Sequence, residues 1–313
     1  MKEKSKKNGV PRLGLCCLFL REPIKFRTTT ATSLLKLSKK ERLLKVSALC
    51  LQNAESLLAA LKALRRLGIG AFRINSQFFP VYTHPGAGYT LDELPQRSQI
   101  LALLSESKRF RDENDIRLSF HPDQFVALSS PHTDVVRNSV NEIEYQALLA
   151  ELVGAELINI HLGGAYGNKT EALGRFAKSF RMLSRRARER LGIENDDVSY
   201  TPLDVLRACE LTGAPFVYDI HHHRCLPDAL SEEEATEHCV AIWKELGREP
   251  WLHISSPKDG WKSRNPKAHA DYINPSDFPE CWRGIRATVD VEAKAKESAV
   301  GRLLRFLNSS FPK

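Results

Sequence analysis

Eight short apolar runs recur along this chain, parted by longer stretches with helical spacing, and that alternation limits the fold more than any other feature. The runs are RLGLCCL at 12–18, AFRIN at 71–75, IRLSF at 116–120, LINI at 157–160, RLGI at 190–193, FVY at 216–218, WLHIS at 251–255 and ATVDV at 287–291. Apolar runs of this length, set between helical patterns, suit buried parallel strands. Leu51, Ala54, Leu57, Leu58, Leu61, Leu64 and Leu67 keep i, i+3, i+4 spacing and line one helical face, and Gly68 stands where a glycine would end that helix. The stretches 135–152, 169–190, 202–211 and 232–246 have the same character. Eight strands alternating with helices predict an α/β fold, a single-domain (β/α)8 TIM barrel. A doubly wound open sheet would need fewer strands and a glycine-rich phosphate turn after the first, where this chain has REPIKFRTTTATS.

The 313 residues, 42% of them apolar, are enough for one barrel with a large core. A formal net charge of +8 attracts anionic partners, without choosing among nucleic acid, lipid and acidic substrates. No apolar run approaches the roughly 18–20 residues of a membrane-spanning helix. Residues 1–9 read as a flexible basic tail, and 10–313 as the barrel domain. The cysteines at 16, 17, 50, 209, 225, 239 and 281 are odd in number and form no C-x-x-C pair, as expected of reduced cytosolic thiols.

The residues that close the runs carry the chemistry. His121 follows the third run, His161 the fourth and Glu194 the fifth. Asp219 follows the sixth, with His222 three residues on; His253 lies in the seventh and Glu292 follows the eighth. His269 lies in the loop after the seventh. In a barrel the carboxyl ends of the strands meet at one mouth, so six strand ends would deliver imidazole or carboxylate to one small space. Any one of these residues is more often an ordinary polar loop residue; the convergence of six is what matters. Imidazole with carboxylate is a ligand set for zinc or manganese, and a carboxylate-rich mix without cysteine suits a multinuclear hydrolytic centre.

In chain order, SFHPDQF, INIHLGGAYGNK, IENDD, YDIHHH, LHISS, KAHA and VEAKAKE resemble the motifs of the UV damage endonucleases, and RLGLCCL, FRTTTATSLLKL and FRINSQFFP fit the same family. The resemblance implies a TIM barrel related to endonuclease IV. It implies two to three divalent ions, Mn2+ first, with Zn2+, Co2+ or Mg2+ as possible substitutes, and no need of ATP. It implies incision of damaged double-stranded DNA immediately 5′ to a UV photoproduct, leaving a 3′-hydroxyl and a 5′-phosphate. By position, His121 and His161 would hold a first ion. Glu194 would bridge to a second that Asp219, His253 and Glu292 also hold, and these four carry the catalytic assignment. His222 and His269 would hold a third. Gln124 and Phe125 would probe the duplex beside the lesion, where poor stacking makes extrusion less costly. Lys294 and Lys296 are candidates for contacts to the DNA backbone. His221 and His223 are expected to be supporting or exposed neighbours.

The chain departs from the family pattern in two places. A lysine that is often modified to assist metal binding is here Trp251, which cannot ligate, so the third site is expected to be weaker or completed by water. Leu15 and Phe19 stand in the first-strand loop where some members carry tyrosine and asparagine near the lesion. The alternatives are an abasic-site endonuclease of the endonuclease IV type, a metal-dependent sugar isomerase, and a lesion-binding protein without catalysis. The expected state is a cytoplasmic, nucleoid-associated monomer with no membrane association.

Overall fold

The computed structural model describes residues 10–310, so the basic segment at 1–9 lies outside the described residues. Eight strands run in chain order: β1 (Arg12–Cys16), β2 (Ala71–Ile74), β3 (Arg117–Phe120), β4 (Leu157–His161), β5 (Leu191–Glu194), β6 (Phe216–Asp219), β7 (Trp251–Ile254) and β8 (Thr288–Val291). All eight pair parallel with their sequence neighbours, and β1 closes on β8 with Gly14 opposite Asp290. The result is the expected TIM barrel.

The helices are α1 (Ala31–Leu35), α2 (Lys39–Leu67), α3 (Arg97–Glu113), α4 (Thr133–Val153), α5 (Lys169–Phe180), α6 (Arg185–Arg188), α7 (Pro202–Thr212), α8 (Ile220–Cys225), α9 (Glu232–Glu245) and α10 (Glu297–Ser310). Their ends follow local chemistry. Ser38 and Glu41 form a capping box at the start of α2, and Gly68 ends that helix at φ 71°, the left-handed conformation expected of it.

The two faces of each strand differ in kind. Phe72, Leu118, Ile158, Ile193, Leu252 and Val289 are buried in the apolar layer between sheet and helices. The alternate residues carry polar groups, and they meet across the axis. Arg73 of β2 reaches His253 of β7, and Arg117 of β3 donates to Thr288 of β8 at 2.7 Å. These strand pairs are not neighbours, so the contacts can form only through the interior. Barrel interiors are usually filled by branched aliphatic residues; this one holds a stack of charge.

Several sequence expectations need correction. The stretch 169–190 is two helices, because Ser184 donates its backbone N–H and Oγ to Glu144, at 2.6 and 2.7 Å, and caps a fresh turn at Ala187. The first strand stops at Cys16 rather than at residue 18, since Cys17 adopts φ 65° and turns the chain out. Leu15 and Phe19 are buried, so neither offers a surface to DNA. His223 is buried too: its Nδ1 lies 2.8 Å from the Tyr218 hydroxyl and its Nε2 3.4 Å from Asp228, which pins α8 to its surroundings. His221 is likewise buried, its ring 5.1 Å from those of both His269 and Trp261.

Candidate metal centre

The mouth is built from strand ends, as parallel closure dictates. His161 and Glu194 are the last residues of β4 and β5 and face each other in register, as do Asp219 and His253 on β6 and β7. His121 and Glu292 each follow directly on the end of a strand. Asp219 serves two structures at once. Its Oδ1 accepts the backbone N–H of His222 at 2.8 Å and so starts α8, while Oδ2 is buried without a hydrogen-bond partner.

Two groups of ligand atoms form. His121, His161 and Glu194 bring one atom each within 4.8 Å of one another, and so do Glu194, Asp219, His253 and Glu292. Glu194 belongs to both. His121 Nε2 lies 3.1 Å from its Oε2, His161 Nε2 3.7 Å from the same atom, and His253 Nδ1 2.8 Å from Oε1. Asn159 donates to Oε2 from below. His222 and His269 stand at the rim, outside both groups: His222 Nδ1 is 3.6 Å from Glu194 Oε1, and His269 Nδ1 is 3.7 Å from Glu292 Oε2.

Arg73 enters from β2. It lies 2.6 Å from Glu292 Oε1, 3.2 Å from Asp290 Oδ2 and 2.9 Å from His253 Nε2. Sequence reasoning missed this buried position, and it passed over Asp290 and Asn159. The signal was present in the period-two rhythm: positions 290 and 292, and 159 and 161, share a face.

The electrostatics follow from crowding. Burial works to raise the Glu194 carboxyl, but His253 and His161 outweigh it and hold its pKa well below the usual range. Burial likewise opposes charge on Glu292, which Arg73 and His253 keep far down. Burial depresses His222, but Asp219, Glu194 and Glu292 overcome this and push it up to about 9. Burial leaves His161 below its ordinary value. Asp290 and Glu292 thus share the Arg73 guanidinium, while Glu194 and Asp219 have, among the described residues, imidazoles alone as their basic partners. Burying net negative charge is costly unless a cation offsets it, and so is an unpaired carboxylate oxygen such as Asp219 Oδ2. The donor set fits divalent metal ions.

The remaining candidates lie around this mouth. Gln124 and Phe125 are exposed on the loop after β3, Phe125 at 78%. Lys294 is exposed and Lys296 half-buried on the turn after β8. Trp251 lies in the interior below the mouth, its ring 4.2 Å from the Arg117 guanidinium.

Comparison with known proteins fits this geometry. Residues 11–311 match the family model described as UV-endonuclease UvdE. The chain belongs to the UV-endonuclease family. A protein named UV DNA damage endonuclease from Bacillus velezensis is 32% identical over 302 residues, covering 94% of this chain and 91% of its own. The crystal structure of SacUVDE superposes with a TM-score of 0.84 at 30% identity, covering 96% of this chain and 99% of that one. Endonuclease IV from Thermus thermophilus shares the fold, with a TM-score of 0.62 at 16% identity and coverage of 96% and 100%. Family membership makes the chain a DNA-repair endonuclease, and therefore a hydrolase. All seven cysteines are unpaired, and among the described residues no helix is long and apolar enough to cross a membrane.

Proposed function

We propose that this protein cuts the phosphodiester bond immediately 5′ to UV photoproducts in double-stranded DNA by metal-assisted hydrolysis, leaving a 3′-hydroxyl and a 5′-phosphate. The observation that carries the reading is the pair of ligand groups sharing Glu194 at the barrel mouth. His121, His161 and Glu194 would hold one ion; Glu194, Asp219, His253 and Glu292 a second; His222 and His269 a third at the rim. Mn2+ is the ion of choice, with Zn2+, Co2+ and Mg2+ compatible with the same ligands. When bound, such ions supply Lewis acidity, lowering the pKa of water and offsetting charge on the phosphodiester.

The chain's own groups do the rest. Glu194, held by Asn159 and by the imidazoles of His121 and His253, keeps the two ligand groups in one register. Asp219 and Glu292 keep negative charge in the mouth, so that cations bind ahead of the DNA backbone. Gln124 and Phe125 enter the duplex beside the lesion, where weakened stacking resists them least. Lys294 and Lys296 meet phosphates on the flanking strand, adding an attraction that weakens with salt. The protein works as a monomer, without ATP.

Supercoiled DNA tests this directly. With Mn2+ present the protein should nick UV-irradiated plasmid and leave untreated plasmid intact, and chelator should stop the cutting. Faster nicking of depurinated plasmid would assign the enzyme to abasic sites instead. Glu194→Gln should lose more than the ~100-fold that removing an outer partner of a metal ligand costs, while duplex binding persists. Incision at a near-normal rate in that variant would remove Glu194 from the centre.

A further inference from the structure

Arg73, Asp290 and His253 make a buried triad whose members have different tasks. The His253 ring is oriented so that Nδ1 lies 2.8 Å from Glu194 Oε1, 3.5 Å from Glu292 Oε1 and 4.0 Å from Asp219 Oδ2. Nε2 lies instead 3.6 Å from Asp290 Oδ2. Arg73 Nη2 lies beside the ring, 2.9 Å from Nε2, 3.3 Å from Nδ1 and 3.2 Å from Asp290 Oδ2. Asp290 is fully buried, and its Oδ1 has no hydrogen-bond partner among the described residues. Its place depends on a missing side chain: a Cβ on Gly14 would stand 2.1 Å from Asp290 Oδ1.

A neutral imidazole has one N–H and one lone pair. In the tautomer in which Arg73 donates to Nε2, the proton sits on Nδ1 and faces Glu194 Oε1. Ligation through Nδ1 requires the reverse. The proton leaves Nδ1, one arrives on Nε2, and the ring stays neutral. Nε2–H then faces the N–H groups of Arg73 and needs an acceptor. Imidazoles bound to metal regularly give their second N–H to a carboxylate or carbonyl, which fixes tautomer and ring angle. Asp290 is the carboxylate on that side: its Oδ2, 3.6 Å from Nε2, accepts from Arg73 and keeps a further lone pair for the ring.

We propose that Asp290 is a positioning residue of the metal centre, accepting the Nε2 proton of His253 and so holding Nδ1 toward Glu194, Asp219 and Glu292. Arg73 balances its charge, and Gly14 gives it room. This rests on the metal-centre reading above, and the test separates the two.

Calorimetric titration with Mn2+ and visible spectra with Co2+ would be recorded on the full chain, on Asp290→Ala and on Gly14→Ala. Asp290→Ala should lose about 10–100-fold in affinity at one class of site, with an altered Co2+ spectrum and the other class unchanged. Gly14→Ala should shift the same class by less. Melting of the metal-free proteins checks the fold. A measurement on the unmutated chain covers a variant that does not fold. With 15N-labelled histidine, His253, assigned by its absence in His253→Gln, should carry its proton on Nδ1 without metal and on Nε2 with Zn2+. A folded Asp290→Ala with wild-type affinities and spectrum overturns the proposal, as does Zn2+ ligation through Nε2. A wild-type chain that takes up no metal overturns the centre and this inference together.

Discussion

Among the described large apolar side chains Phe125 is the most exposed, at 78%. Its backbone N–H donates to Asp123 Oδ1 at 3.2 Å. A ring this exposed contributes little to folding. Phe125→Ala should leave stability within about 0.5 kcal/mol of wild type, checked by urea unfolding. The same variant should nick irradiated DNA more slowly, with metal stoichiometry unchanged. The proposed ligands were legible in the sequence because they combine chemistry with position: imidazole or carboxylate at the end of an apolar run. Asp290, Asn159 and Arg73 carry the same kinds of group one turn of the pleat deeper. There they look like ordinary strand residues until closure fixes which face points inward.

At the scale of elements, local signals held where propensity and packing agreed. Gly68 ends α2 as its position implied, and each strand falls within about one or two residues of its apolar run. The run at 169–190 was misread because its helical pattern continues through a serine whose side chain prefers a cap. The start of α10 depends on a partner remote in sequence, which no local window contains. Glu297 accepts the backbone N–H of Leu20 at 2.9 Å, that of Glu22 at 3.2 Å and that of Arg21, and so ties the loop after β1 to the helix after β8. Burial opposes the charge on Glu297, but these donors outweigh it and hold its carboxyl below the usual value. Its stabilisation is therefore complete above the unfolded carboxyl pKa of ~4.3 and is lost as pH falls through the lower folded value. Glu297→Gln should cost about 1–3 kcal/mol at pH 7. The deficit should shrink below pH ~4, as read by denaturant unfolding across pH.

For the whole molecule, the barrel was legible from eight regular runs, whereas its charged interior was not, because inward and outward positions alternate invisibly within each run. That interior stores like charge in the absence of metal, so ion binding should stabilise the entire fold. At free Mn2+ a hundredfold above the dissociation constant, one site contributes about 2.7 kcal/mol. The melting temperature should rise by several degrees, fall back with chelator, and rise less in Glu194→Gln.

The order of these groups along the chain has a bearing on how the protein is made. His121 belongs to the third strand, but Glu292 follows the eighth, and the eighth must close on the first. The last carboxylate of the second ligand group therefore emerges from the ribosome only after all eight strands have been made. On the proposed assignment, a polypeptide that stops short of the eighth strand lacks this carboxylate, so the metal centre assembles only once the barrel is able to close.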